Sequence, residues 1–129
     1  MRVLVTGGAN FIGRYIVKFL IENGNVVTIF DNFSNSSKKS ISDLIDIGVK
    51  VIEGDITKYD EISNAVKDQE MVIHLVAKIS VQESIRNSSE TFYVNVNDTE
   101  NVLVACEKNN IKKLIVASLA AVMVKIYPS

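Results

Sequence analysis

Short apolar runs rich in β-branched residues recur along this chain with helix-like stretches between them, and that alternation limits the possible fold more than any other feature. The runs are RVLVT (2–6), VVTIF (26–30), VKVIEG (49–54), MVIHLV (71–76) and KLIVAS (113–118). Runs this short and this continuously apolar suit strands covered on both faces. Between the first two, Ile12, Ile16, Phe19 and Leu20 share one helical face, with a start near Phe11 and a stop at Gly24. A second helix is expected over KKSISDLIDIG (38–48), closed by Gly48. A third is expected over YDEISNAVKD (59–68), with Thr57 followed by Asp60 as its start signal. The fourth and longest covers roughly 89–109, with Phe92, Val96, Val102, Leu103 and Cys106 supplying most of its apolar face. Strand and helix in strict alternation predict an α/β fold, a parallel sheet with helices on both faces, because right-handed crossovers return the chain each time to the same end of the sheet.

The chain has 129 residues, one domain's worth, and shows no internal repeat, low-complexity tract or linker. A net charge of -1 gives no electrostatic footprint for nucleic acid. Cys106 is the only cysteine, so no intramolecular disulfide or cysteine-based metal site is expected, which fits a reducing cytoplasm. No apolar run approaches the length of a membrane span. His74, within VIHLV, reads as a core or strand-end histidine paired with backbone, and Cys106 as a small core residue rather than a nucleophile. Arg86, Lys112 and Lys113 read as solvated surface.

The first turn carries the chemistry. In VTGGANFIG (5–13) a strand ending at Thr6 meets a helix, and backbone N–H groups with the positive end of a helix dipole converge on a pocket suited to phosphate. Gly7 permits the tight turn, and Gly13 lets the helix approach the sheet. Asp31 closes the second strand, where a carboxylate accepts hydrogen bonds from both hydroxyls of an adenosine ribose and repels a 2′-phosphate. NAD is therefore favoured over NADP, with Asn32, Asn35 and Ser36 as further polar contacts. Asn10 stands where glycine would bring the backbone nearest a pyrophosphate. Asparagine tolerates a left-handed backbone and its amide can donate, so weakened rather than abolished binding is expected.

VTGGANFIG, DNFSNSS (31–37), EGDITK (53–58), VIHLVA (72–77), VQES (81–84), NVNDTENVL (95–103) and KKLIVASLAAV (112–122) together resemble the extended short-chain dehydrogenase/reductases, and within them the UDP-glucose 4-epimerase-like enzymes. DNFSNSS favours these over the nucleotide-sugar 4,6-dehydratases. The resemblance implies a Rossmann-like doubly wound sheet in the order 3-2-1-4-5 over residues 1–129, truncated before a sixth strand and the substrate region. It implies NAD as cofactor. Gly7, Asn10, Phe11, Ile12 and Gly13 would form the pyrophosphate turn, with Asp31 at the ribose and Asp55 and Ile56 at adenine. Leu75, Val76, Ala77 and Asn95 would lie on the nicotinamide side.

Family members use a serine or threonine after the fifth strand and a Tyr-x-x-x-Lys pair to move protons at a sugar hydroxyl. Here Leu119 occupies the first position, Met123 and Val124 replace the following Tyr-Gly, and Tyr127 has no lysine four residues on. No catalytic residue is therefore assigned. The expected role is an NAD-binding portion without turnover of its own, whose nucleotide-sugar substrate belongs to the full-length enzyme. The rival reading is an interaction module that homodimerises or binds a partner through the exposed KLIVAS edge.

Overall fold

A computed structural model of the protein describes residues 1–34, 36–76 and 99–118. It contains a five-stranded sheet in the order β3-β2-β1-β4-β5, formed by β1 (Arg2–Thr6), β2 (Val26–Asp31), β3 (Lys50–Glu53), β4 (Met71–Val76) and β5 (Lys113–Ser118). All four pairings are parallel. Val3 lies opposite Val27 on one side and Met71 on the other, and Thr6 lies between Phe30 and His74. The expected doubly wound order is the observed one.

Side chains alternate across each strand, and this divides the interior into two cores. On one face Val3, Val5, Val27, Ile29, Ile73 and Leu75 meet α1 (Phe11–Glu22) and the segment after β2. On the other, Leu4, Phe30 and Val72 meet α3 (Tyr59–Val66) and the helical residues 99–108. The central strand serves both: Val3, Leu4 and Val5 are wholly buried. β3 lies at the edge and is mostly exposed, so not every strand is covered on both faces as its apolar run suggested.

The helices depart from their sequence signals in instructive ways. The buried stripe of α1 is Gly13, Val17 and Leu20, while Ile12 and Phe19 are 42% and 64% exposed. The stripe is rotated from the expected one because Gly13, with no side chain, brings its own face of the helix closest to the sheet. Over 38–48 the chain makes a 3₁₀ turn, Lys38–Ile41, and then only a short helix α2, Ser42–Asp46. Ile41 and Leu44 anchor the pair, and Gly48 at φ +101° turns it into β3. Gly24 likewise ends α1 in the left-handed region, at φ +84°. Thr57 does not cap α3. Its N–H and hydroxyl both donate to Asp55 Oδ1, and Lys58 occupies the cap position without a side-chain bond. Of the face expected on the fourth helix, Val102 and Cys106 are buried together with Ala105. Leu103 is 49% exposed, because only one side of the helix faces the sheet, and Phe92 and Val96 lie outside the described residues.

Gly54 follows β3, and a Cβ placed on it would lie 2.6 Å from the Phe30 ring. Gly54→Ala is expected to lower stability by about 1–3 kcal/mol through overpacking. Combining it with Phe30→Leu should make the second change less costly than Phe30→Leu alone, as read from urea-unfolding midpoints of the four proteins.

Candidate nucleotide-binding site

The turn from β1 into α1 is built from contacts between backbone atoms. Gly7 adopts φ +77°, a conformation that costs glycine little, and its N–H donates to Phe30 O at 2.8 Å. Gly13 lies against the same turn so closely that a Cβ would fall 2.6 Å from Gly7 O and 2.7 Å from Gly8 Cα. The α1 axis thus rises directly from the end of the central strand. Of the first N–H groups of α1, that of Arg14 donates to Asn10 O at 3.0 Å and that of Gly13 to Asn10 Oδ1 at 2.6 Å. Those of Phe11 and Ile12 have no acceptor among the described residues.

Asn10 is not left-handed. At φ -76° and ψ 172° its backbone is extended, and the residue is the N-cap of α1. Position 10 therefore needs no glycine for backbone reasons. What distinguishes asparagine here is a side chain folded onto the helix end.

Asp31 stands at the rim of this turn. Its Oδ2 accepts from Ala9 N at 3.2 Å and its Oδ1 from Phe33 N at 2.8 Å. A carboxylate has about four lone-pair sites, so two remain for a pair of vicinal hydroxyls. Phe33, at φ 57°, holds a backbone conformation that a bulky residue rarely adopts, and this redirects the chain just after the Asp31 turn. Asn32 accepts from Ser34 N through its side chain and so shapes the same loop, Ser36 is half-buried nearby in sequence, and Asn35 lies outside the described residues.

The loop after β3 is tied to both neighbours. Gly54 N donates to Asp31 O at 3.0 Å, Asp55 N to Glu61 Oε1 at 3.3 Å, and Asn101 Nδ2 to Ile56 O at 3.0 Å. The two bonds from Thr57 hold the Asp55 carboxyl below its ordinary range. Glu61 stands in no quoted motif and Asn101, though within NVNDTENVL, is given no role there; their contacts reveal one. Leu75 is buried beside Gly7, Val76 ends β4, and Ala77 and Asn95 fall outside the described residues, as do Arg86 and Leu119.

His74 pairs with a side chain rather than with backbone. Its Nδ1 lies 2.6 Å from Thr6 Oγ1, within the sheet just beneath the turn, because the register sets Thr6 directly opposite it. Burial pulls its pKa down to about 4 from 6.5. Cys106 is buried, and its thiol is pushed up to about 11, far from a nucleophile. Lys112 and Lys113 are exposed. Among the described residues no group of His, Cys, Asp and Glu side chains could hold a metal ion, and no helix is long and apolar enough to cross a membrane.

Two hollows lie apart from the turn's mouth. One, of about 110 Å³, is bounded by Arg14, Tyr15, Lys18 and Leu44 and shares only Phe11 with the turn. The other, of about 450 Å³, runs past Arg2, Thr28, Lys50 and Gln69 at the end of the sheet away from Gly7. Ligands of open parallel sheets bind at the carboxyl ends of the strands, so the shallow turn is the better candidate than either hollow.

A model of the NAD dependent epimerase/dehydratase family matches residues 3–125. UDP-glucose 4-epimerase of Corynebacterium glutamicum is 32% identical over 94% of this chain and 36% of its own length. UDP-N-acetyl-alpha-D-glucosaminuronate decarboxylase of Bacillus cytotoxicus is 34% identical over 94% of this chain and 37% of its own. The crystal structure of UDP-glucose 4-epimerase from Bifidobacterium longum in complex with NAD+ and UDP superimposes with a TM-score of 0.83 at 32% identity, over 95% of this chain and 38% of that one. The chain thus spans a little over a third of the length of these three relatives.

The buried histidine generates a pH prediction. Unfolded, His74 binds a proton near pH 6.5; folded, it does so only near 4. Stability is therefore complete above about pH 6.5 and falls as the pH drops toward 4, by up to roughly 3 kcal/mol. Since His74 is the only histidine, the His74→Gln variant is expected to lose the dependence in that window, as read from urea unfolding at pH 7 and pH 4.5.

Proposed function

As the chain belongs to the NAD dependent epimerase/dehydratase family, we propose that it is the NAD-binding portion of a nucleotide-sugar epimerase of the UDP-glucose 4-epimerase kind. The observation that carries this reading is the pair of open N–H groups on Phe11 and Ile12, above a turn made compact by Gly7 and Gly13 and rimmed by the Asp31 carboxylate. Phe11 and Ile12 donate to the pyrophosphate, with Gly7, Asn10 and Gly13 shaping the turn. Asp31 accepts from the adenosine ribose hydroxyls, assisted by the loop of Asn32, Asn35 and Ser36. Asp55 and Ile56 border adenine. Leu75 and Val76, followed by Ala77 and with Asn95, line the nicotinamide side.

The nicotinamide, when bound, supplies a hydride acceptor next to a sugar carbon. The residues of this chain bind and orient. None is assigned a proton-transfer role, since Leu119 has no hydroxyl and the 129 residues contain no Tyr-x-x-x-Lys. The nucleotide sugar belongs to the full-length enzyme. A dehydratase is the nearest alternative, and the DNFSNSS loop favours the epimerase. The buried, unpaired Cys106 suits the cytoplasm.

Calorimetric titration of this chain should show saturable NAD binding with weaker binding of NADP, and no epimerase turnover. Asp31→Asn should weaken NAD by about tenfold, the loss of charge-assisted bonds, and narrow the gap to NADP. Absence of NAD binding up to millimolar concentration would sink the reading.

A second reading is favoured by the sheet edge. β5 is an outer strand whose Ile115 and Val116, on opposite faces, are both exposed. Among the described residues no strand pairs with that edge, and such an edge can pair with a second copy of the chain. Sedimentation should then show a dimer that Ile115→Lys converts to monomer while NAD affinity is unchanged. A monomer at every concentration tested would exclude edge pairing.

A further inference from the structure

We infer that the Asn10 side chain is a built-in competitor for the pyrophosphate, so that dinucleotide affinity at this site is set by how readily one carboxamide releases the helix end that it caps. The inference rests on the NAD reading above and concerns how the same site is regulated. A helix begins with N–H groups that have no partner inside the helix, and these are what a phosphate uses. In α1 the Gly13 N–H is already taken, by Asn10 Oδ1 at 2.6 Å, while those of Phe11 and Ile12 have no acceptor among the described residues.

The position of the amide nitrogen adds a second, steric component. Asn10 Nδ2 lies 3.6 Å from the point that a Cβ on Gly7 would occupy. The carboxamide therefore reaches from Gly13 back toward Gly7, across the turn that the anion must enter. A glycine at position 10 would leave both the Gly13 N–H and this space to the ligand.

The exchange is nevertheless feasible. The carboxamide oxygen is neutral, and an oxyanion forms the stronger hydrogen bond to the same N–H. Asn10 thus stabilises the empty turn and opposes its filling without closing it. The backbone permits the change to glycine, and glycine at an N-cap costs a helix little relative to asparagine.

The test compares the unmodified chain with Asn10→Gly and Asn10→Asp by calorimetric titration with NAD, ADP and adenosine. Asn10→Gly is expected to bind NAD and ADP about tenfold tighter, with adenosine, which has no phosphate, unchanged. Asn10→Asp keeps the capping oxygen and adds a negative charge facing the pyrophosphate. It is expected to lose NAD and ADP, retain adenosine, and melt no lower than the unmodified chain. Equal or weaker NAD binding by Asn10→Gly, with clear binding by the unmodified chain, overturns the inference and makes Asn10 a donor to the ligand. A gain that adenosine shares overturns it as well, since the effect would then not lie at the phosphates. If the unmodified chain does not bind NAD up to millimolar concentration, the NAD reading itself fails and carries the inference with it.

Discussion

The contact of Gly13 with Gly7 and Gly8 is the constraint on which the other features rest. Backbone lies against backbone, with no room for a Cβ on Gly13. This proximity sets α1 directly over the end of β1, from where Val17 and Leu20 reach the core of Val3, Val5, Val27 and Ile29. It also points the first amides of α1 outward at the carboxyl end of the sheet. Packing and the proposed anion site thus share one contact, and a change that loosens the helix from the strand would disturb both.

The rim of the site is assembled by a few long-range bonds between strand ends. Phe30 O receives the Gly7 N–H, Asp31 O receives the Gly54 N–H, and the Asp31 carboxylate receives the Ala9 N–H. Three loops that are distant in sequence are drawn together at the ends of β1, β2 and β3. The Phe30 ring, buried below and packed where Gly54 has no side chain, holds this junction from the interior. The carboxylate is fixed by its own loop before any ligand arrives, which removes an ordering cost from binding.

Much of this was legible in the sequence, and the reasons differ by element. All five strands followed from β-branched runs separated by helix-length segments, a pattern that buried parallel strands impose, whereas their order came from the family resemblance. Gly7 and Gly13 were legible because a tight turn and a close helix–strand contact each demand glycine at one place. The buried face of α1 was misread, since hydropathy registers large apolar residues and cannot register a glycine that packs by having no side chain. Asn10 was misread for a related reason: the residue type allows both a left-handed turn and an N-cap, and only φ tells them apart. Thr57 and Asp60 resembled a helix start, yet Asp55 captured the threonine first. Glu61 and Asn101 were not singled out because each acts by one hydrogen bond to backbone of the loop after β3, six residues away for Glu61 and 45 for Asn101, and no residue pattern specifies such a bond.

The division of the interior into two cores sets how a chain of this kind can change length. Removing one residue between Arg2 and Thr6 would hand Leu4 to the side now filled by Val3 and Val5, and exchange the contents of both cores at once. Adding residues to the connection between Glu22 and Val26 would leave every pairing in place at a cost that grows only slowly with their number. Geometry thus confines tolerated insertions and deletions to the connections. The length of β1 stays fixed even where its individual aliphatic residues interchange.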